Sequence, residues 1–205
     1  MRSSPDRWLP PHVSGWTLAT TAAAVTTAAV AAAAPDVVGL PQIGAMDTVV
    51  APVPALLAWV AALTATTAAS EPCPEVFATV PRRAFAVNVA RIVLTLAAFT
   101  VGAAAATGTR DLAVAGLSAR TSMALCGEGL AVASVAGLRY GWLPMTAHLL
   151  AAATLGAANR PDLAGWAWIV SPEVGATQVV LSTLLFVIGM TAWTRRARTV
   201  LSQPA

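Results

Sequence analysis

The chain has 205 residues, of which 57% are apolar and only 10% are charged, and its mean hydropathy is +0.71. A soluble domain carries about a quarter charged residues, so this composition excludes an ordinary water-soluble globule and predicts that lipid surrounds most of the chain. The formal net charge is +3, and all 12 basic residues are arginine because the sequence contains no lysine.

The absence of lysine excludes several kinds of chemistry. No P-loop lysine can hold nucleotide phosphates, and neither a Schiff base nor a serine–lysine dyad can form. The two cysteines, Cys73 and Cys126, and the two histidines, His12 and His148, are too scattered for a zinc site of ordinary spacing. We therefore predict no catalytic residue, cofactor or metal in this chain, and any ATP must be hydrolysed by a partner. The arginines form no basic stripe, so nucleic acid is not a predicted partner.

Six stretches between charges are long enough to cross a bilayer, which takes about 20 mostly apolar residues. In chain order the predicted transmembrane helices cover residues 14–34, 49–69, 84–107, 120–138, 142–158 and 174–194. The predicted fold is all-α, a polytopic membrane helical bundle that forms a single transmembrane domain over residues 1–205. The chain has 48 alanines, so several helices are weakly hydrophobic and are expected to insert as a bundle in which small residues let backbones approach closely.

The distribution of arginines tests this count, because cytoplasmic loops carry an excess of positive charge. With six crossings and both termini cytoplasmic, three arginines fall outside, namely Arg110, Arg120 and Arg160, and the other nine fall inside. This bias predicts a multi-pass protein of the plasma membrane, and arginine and alanine richness without lysine is typical of bacteria with GC-rich genomes. Alternatively, Arg2 and Arg7 before an apolar stretch that ends at 31–34 form a cleavable secretory signal. Cleavage would leave five helices.

The most informative cytoplasmic segment is the loop over residues 70–83, within the run SEPCPEVFATVPRRAFAVN. Pro74 suits a first helical position and Glu75 favours a helix N-terminus, while Val76, Phe77 and Val80 form an apolar stripe. The pattern predicts a short amphipathic helix at the membrane surface that ends before Pro81. An ordinary loop held at the headgroups is the alternative.

A six-helix subunit with cytoplasmic termini, in which a loop with glutamates and a Thr-x-Pro-x-Arg turn follows helix two, resembles the permease subunit of type 2 ABC transporters. The matching positions are Glu71, Glu75, Thr79, Pro81 and Arg83. An amphipathic N-terminal segment over residues 4–16 and an outer loop over residues 159–173 also fit the layout. The glutamates are separated by prolines here, which departs from the family pattern.

The resemblance implies a function and a set of partners. The 70–83 loop would dock on a separate ABC-type ATPase, the outer loop would form a half-inserted hairpin, and two permease subunits would pair as a homodimer or heterodimer. The residues expected to form this ATPase-coupling loop are Glu71, Glu75, Phe77, Thr79, Pro81, Arg82 and Arg83. The implied activity is export of an amphipathic compound or peptide, without bond chemistry in this chain.

Ionisable groups predicted to lie inside the membrane are Arg91, Glu128 and His148, and such groups are functional hypotheses because burying a charge in lipid is costly. Glu128 lies about 12 Å from the outer end of its predicted helix and Arg91 about 10 Å from the inner end of its own. Their axial separation is then about 8 Å across a core of about 30 Å, which predicts an ion pair between adjacent helices. A protonatable transport residue and a neutral or water-exposed glutamate are the alternatives. His148 is predicted to be a hydrogen-bonded packing residue, with a proton relay as the alternative.

Two other functional classes compete with the permease. A non-transporting accessory, immunity or assembly protein would use its helices only to bind another membrane protein. An intramembrane enzyme is disfavoured, because the sequence has no HExxH motif, no paired-glutamate protease motif and no convincing serine–histidine arrangement.

Overall fold

The computed structural model describes residues 37–41, 48–69, 81–106, 112–155, 167–171 and 175–201. These residues form a helical bundle with one short β-hairpin, which agrees with the predicted helical class. The elements are β1 (Val37–Pro41), β2 (Thr48–Pro52), α1 (Val53–Ala68), α2 (Pro81–Ala106), α3 (Leu112–Ala136), α4 (Trp142–Leu155) and α5 (Ala176–Leu201), with 3-10 turns at Leu138–Tyr140 and Trp168–Val170. The predicted helix over residues 14–34 lies outside the described residues.

The hairpin replaces the start of the helix predicted over residues 49–69. Strands β1 and β2 pair antiparallel, with Val37 opposite Pro52 and Pro41 opposite Thr48. The β-branched run that opens β2 favours an extended backbone. Pro52 donates no backbone hydrogen bond, and proline is tolerated only in the first turn of a helix, so α1 begins at Val53.

Two further helix starts differ from the sequence prediction. Helix α2 begins at Pro81 rather than at residue 84, because proline suits the first helical position, and Arg82 and Arg83 therefore lie in its first turn and not in a loop. Helix α3 begins at Leu112 rather than at residue 120. The prediction started this helix at a charge, whereas Arg120 lies about 12 Å inside it, at 1.5 Å per residue.

Helix α3 is the centre of the bundle and contacts α1, α2, α4 and α5. Its partner over the largest part of its length is α5, and the two backbones touch where both helices carry glycine. A Cβ on Gly127 would collide with the backbone at Leu185 and Phe186, and a Cβ on Gly189 would collide with the carbonyl of Gly127. Only glycine permits so close a crossing.

Helices α3 and α4 are joined by a tight connection. Gly137 ends α3 with φ 103°, a backbone conformation that favours glycine, and its N–H donates to Ala133 O at 3.1 Å. Gly141 links the 3-10 turn to the first residue of α4. A Cβ on Gly141 would lie 3.0 Å from Gly129 O of α3. The close approach brings the side chains of α3 and α4 face to face over the length of α4.

The core of the bundle is mainly apolar but also contains polar side chains, and large apolar side chains lie on the surface. On α2, Asn88 and Arg91 are buried, at 2% and 7% exposure, whereas Leu94 is 59% exposed. Further buried polar side chains belong to Thr66, Thr95, Ser118, Arg120, Thr121, Ser122 and Ser182, while the exposed large apolar residues of α5 are Val179, Val180, Leu181, Leu184, Val187 and Ile188. A contiguous set of large exposed apolar side chains, as on α5, favours contact with lipid or with another protein.

One helix of the described part is long and apolar enough to cross a membrane. It covers Ala176–Arg196, with 21 residues and a mean hydropathy of 1.6, and only 17% of its best window is buried inside the fold. Val53–Thr67 and Asn88–Ala104 are apolar helical stretches of shorter length. Membrane association therefore rests on α5, and six crossings with cytoplasmic termini stay predictions.

Candidate functional site

The site of most chemical interest is a histidine–carboxylate pair between α3 and α4. His148 Nδ1 lies 2.7 Å from Glu128 Oε1, and the side chains of His148 and Glu128 are 22% and 17% exposed. Either the ring N–H donates to the carboxylate, or a protonated carboxyl donates to the ring nitrogen. The two groups together can hold a proton at a shielded position.

Three neighbours of Glu128 in the chain explain how it is held. Gly127 presses against α5 and Gly129 against the start of α4, where a Cβ would lie 2.8 Å from Met145 Cε. Cys126 is fully buried, and its sulfur lies 3.9 Å from the Thr66 hydroxyl of α1. The backbone on both sides of Glu128 is therefore clamped between neighbouring helices, so the carboxylate is directed at α4.

The predicted ion pair between Arg91 and Glu128 is wrong, because the partner of Glu128 is His148. The predicted axial separation of Arg91 and Glu128 considered how deep each residue lies along its helix. It did not consider in which direction around the helix each side chain points. Arg91 lies on the buried face of α2, where its backbone carbonyl accepts a hydrogen bond from Thr95 Oγ1 at 2.7 Å. The three polar residues that the sequence predicts inside the membrane are at least partly buried, and the structure joins Glu128 to His148.

A second polar cluster, the Arg120 cluster, consists of Arg120, Thr121, Trp168, Ser171 and Gln178. Arg120 is 2% exposed, and its Nη2 donates to Trp168 O at 3.0 Å and to Ser171 O at 2.8 Å. Its Nη1 donates to Gln178 Oε1, and the guanidinium lies 5.6 Å from the centroid of the Trp168 ring. One planar cation therefore binds three acceptors on two segments and stacks on an aromatic ring.

The Arg120 cluster anchors a short segment of the predicted outer loop. The turn Trp168–Val170 packs against α3 and α4, and Thr121 Oγ1 donates to Ile169 O at 3.0 Å. Ala167, Trp168 and Ile169 are buried there. These are the described residues of the predicted 159–173 loop, and its half-inserted hairpin stays a prediction.

Sequence reasoning missed this cluster because it placed Arg120 at the outer surface. One signal was present in the sequence: polar Ser118, Thr121 and Ser122 surround Arg120. Several polar side chains close together in an apolar stretch indicate a buried site, and buried polar side chains form hydrogen bonds to nearby acceptors. The acceptors themselves are backbone carbonyls about 50 residues away, which no local pattern reveals.

Most of the predicted ATPase-coupling loop lies outside the described residues, including Glu71, Glu75, Phe77 and Thr79. Pro81, Arg82 and Arg83 are described by their backbone as the first turn of α2. Within the described ranges no three His, Cys, Asp or Glu side chains gather into a group that could hold a metal ion. Comparison with protein-family models, curated proteins and solved structures finds no match.

Proposed function

We propose that this chain is an integral membrane subunit of the permease type, which moves an amphipathic compound or peptide across the plasma membrane with energy from a separate ATPase chain. The observation that carries the proposal is the burial of polar side chains in a bundle whose surface exposes large apolar ones. Arg91, Asn88 and Thr121 are buried while leucine and valine side chains of α2 and α5 are exposed. Lipid solvates such an exterior, and polar side chains in membrane bundles face the interior and mark functional positions.

The transport part of the proposal rests on the layout of the chain. Helix α2 starts with Pro81 directly after the 70–80 segment, so a push on that segment would be delivered to the N-terminus of a 26-residue helix. Helix α2 packs on α1 and α3, which connects it to the centre of the bundle. Because the chain has no lysine for nucleotide phosphates, the energy would come from a partner.

The test is co-purification with an ATPase combined with an export assay. We expect the tagged full-length chain to retain an ABC-type ATPase in mild detergent, and we expect the Arg82→Ala/Arg83→Ala variant to lose that partner. The matched control is Arg195→Ala/Arg198→Ala, which removes the same charge from the end of α5 and should retain the ATPase. The proposal would be contradicted if neither the parent nor the control retains an ATPase and the Arg82→Ala/Arg83→Ala variant exports normally.

A second candidate is a non-transporting accessory or assembly protein that binds another membrane protein. The observation that favours it is the contact of backbones at Gly127 and Gly189, which closes the centre of the bundle between α3 and α5. The exposed apolar face of α5 would then be the binding surface. A stable complex with an integral membrane protein, formed without an ATPase and abolished by Leu184→Arg, would favour this candidate over the permease.

A further inference from the structure

A cavity of about 300 Å³ lies where the end of α1, the 3-10 turn Leu138–Tyr140 and the start of α4 meet. Its lining residues are Leu63, Thr66, Thr67, Leu138, Arg139, Trp142 and Met145. The two threonine hydroxyls donate to carbonyls of their own helix, Thr66 to Ala62 O and Thr67 to Thr64 O, both at 2.8 Å. The interior of the cavity therefore presents mainly hydrocarbon.

The rim of the cavity has a different chemistry. Arg139 and Trp142 are both exposed, Trp142 at 50%. The Arg139 guanidinium lies 4.6 Å from the centroid of the Tyr140 ring. Glu128 is the single acidic residue in the described ranges, and it is bonded to His148. The rim thus carries a cation and two amphipathic rings beside an apolar slot.

We propose that this cavity binds an anionic phospholipid, with the phosphate against Arg139 and the first part of one acyl chain between Leu63 and Met145. A ligand with a negative head and a hydrocarbon tail matches both parts of the site. The volume is at the lower end of small-ligand pockets, about 300 to 1,000 Å³, so the slot holds a segment of one chain and leaves the rest in the bilayer.

The predicted sidedness of the chain supports this ligand. The distribution of arginines assigns Arg139 to the cytoplasmic face, whose leaflet carries anionic lipids, and basic pockets between transmembrane helices bind their headgroups. Trp142, at the start of α4, is a residue type enriched at membrane interfaces. The inference rests on the membrane location in the proposed function and does not depend on export.

The experiment is a lipid titration of the purified full-length chain by native mass spectrometry, with phosphatidylglycerol and phosphatidylcholine of identical acyl chains. We expect the parent to bind phosphatidylglycerol about fivefold more tightly, since one arginine near the headgroups contributes about 1 kcal/mol. Arg139→Gln should abolish the preference and Arg139→Lys should keep most of it. The matched control Arg195→Gln, which removes an exposed arginine near the C-terminal end of α5 that does not line the cavity, should leave the preference unchanged.

A second variant tests the acyl slot. Leu63→Trp fills the cavity and should weaken binding of both lipids, with Leu63→Phe as a milder change of the same kind. Any of three results would overturn the proposal. The parent could bind the two lipids equally, Arg139→Gln could keep the preference for phosphatidylglycerol, or Arg195→Gln could lose that preference to the same extent as Arg139→Gln. Equal binding by the parent is also the result expected if residues 70–80 fill the slot. Displacement of the lipid by glycerol phosphate at equal concentration would assign the site to free anions and overturn it as well.

Failure of the membrane location is detected separately. If alkaline carbonate releases the chain from membranes, the proposed function fails together with this inference. If the chain stays in the membrane fraction but shows no lipid preference, only the lipid site is overturned.

Discussion

At the scale of single residues, the two polar clusters differ in what they can do. Glu128 and His148 are titratable groups at 2.7 Å, each with part of its side chain exposed. Arg120 is a fixed cation whose hydrogen bonds go to carbonyl and amide oxygens. The first cluster can change its charge, whereas the second serves to hold two segments in place.

The Glu128–His148 contact predicts energetic coupling between the two residues. In a double-mutant cycle with Glu128→Ala and His148→Ala, we expect a coupling of about 0.5 to 1.5 kcal/mol, in the range of polar contacts between membrane helices. The measurement is the free energy of unfolding in detergent with increasing SDS. The control cycle pairs Glu128→Ala with Arg91→Ala and should be additive. Coupling in the control but not in the test cycle would restore the ion pair first predicted from the sequence.

Arg120 should not tolerate lysine. The ammonium of Arg120→Lys keeps the charge but cannot reach three acceptors in a plane or stack on Trp168. Since a hydrogen bond to a charged group contributes about 1.5 to 3 kcal/mol, we expect a loss of at least about 2 kcal/mol in the same unfolding assay. Arg195→Lys, at an exposed position, should change stability by less than about 0.5 kcal/mol. Equal stability of the two variants would show that the Arg120 cluster contributes little.

At the scale of secondary-structure elements, α3 organises the bundle because it combines glycines with polar anchors. Its glycines admit α5 on one side and the start of α4 on the other. At its C-terminus, Arg196 Nη1 donates to Ala133 O at 3.1 Å and to Ser134 O at 2.7 Å. A cation at this end satisfies the last carbonyls of the helix and complements its dipole, so α5 is tied to α3 at both ends.

The glycine crossing of α3 and α5 predicts a strong dependence on one methyl group. Gly127→Ala and Gly189→Ala each force backbone atoms apart, and overpacking of this kind costs about 1 to 3 kcal/mol. Thermal denaturation in detergent measures the loss. Gly175→Ala is the matched control, because a Cβ there would meet only Gln178 Cδ at 4.0 Å. If Gly127→Ala and Gly189→Ala are as stable as Gly175→Ala, the two helices accommodate the added methyl group without loss of stability, and the prediction is wrong.

At the scale of the whole molecule, the exterior of α5 decides how the protein is solvated. Its large exposed side chains between Val179 and Ile188 are apolar, whereas several polar side chains, among them Arg91 and Arg120, are buried inside the bundle. Burying this exterior in lipid removes the cost of exposing it to water, at about 25 cal/mol per Å² of apolar surface. The same exterior in water would be an aggregation surface.

Cysteine labelling tests this orientation. In a Cys73→Ser/Cys126→Ala background, we expect Val187→Cys in the middle of α5 to resist a membrane-impermeant maleimide in intact membranes and to react after SDS is added. Gly175→Cys, just before α5, is the control. It should react when the maleimide has access to its side of the membrane. Rapid labelling of Val187→Cys in intact membranes would place this face in water.

Several features of the fold could be predicted from the sequence, and the reasons are local. The gaps between charges coincide with the five described helices, since a long apolar run between charges favours a packed helix. Helix starts were less predictable. Pro81 was taken as a break although it begins α2, and Arg120 was taken as a surface charge although it is buried in α3.

Composition and the order of charges alone indicated the helical class, which the structure shares, and they predict a lipid surrounding and a separate ATPase chain, because such inferences depend on residue type and spacing. Only the tertiary structure decided which polar groups meet. His148, rather than Arg91, binds Glu128, and Arg120 holds residues 167–171. Such pairings depend on the rotation of each helix about its axis, and this rotation is set by the close contacts at Gly127, Gly129 and Gly189 between neighbouring helices. The low charge predicts an apolar surrounding for the chain, and the missing lysine predicts a partner for ATP hydrolysis. The glycine contacts between helices set which of the few charged groups lie close together.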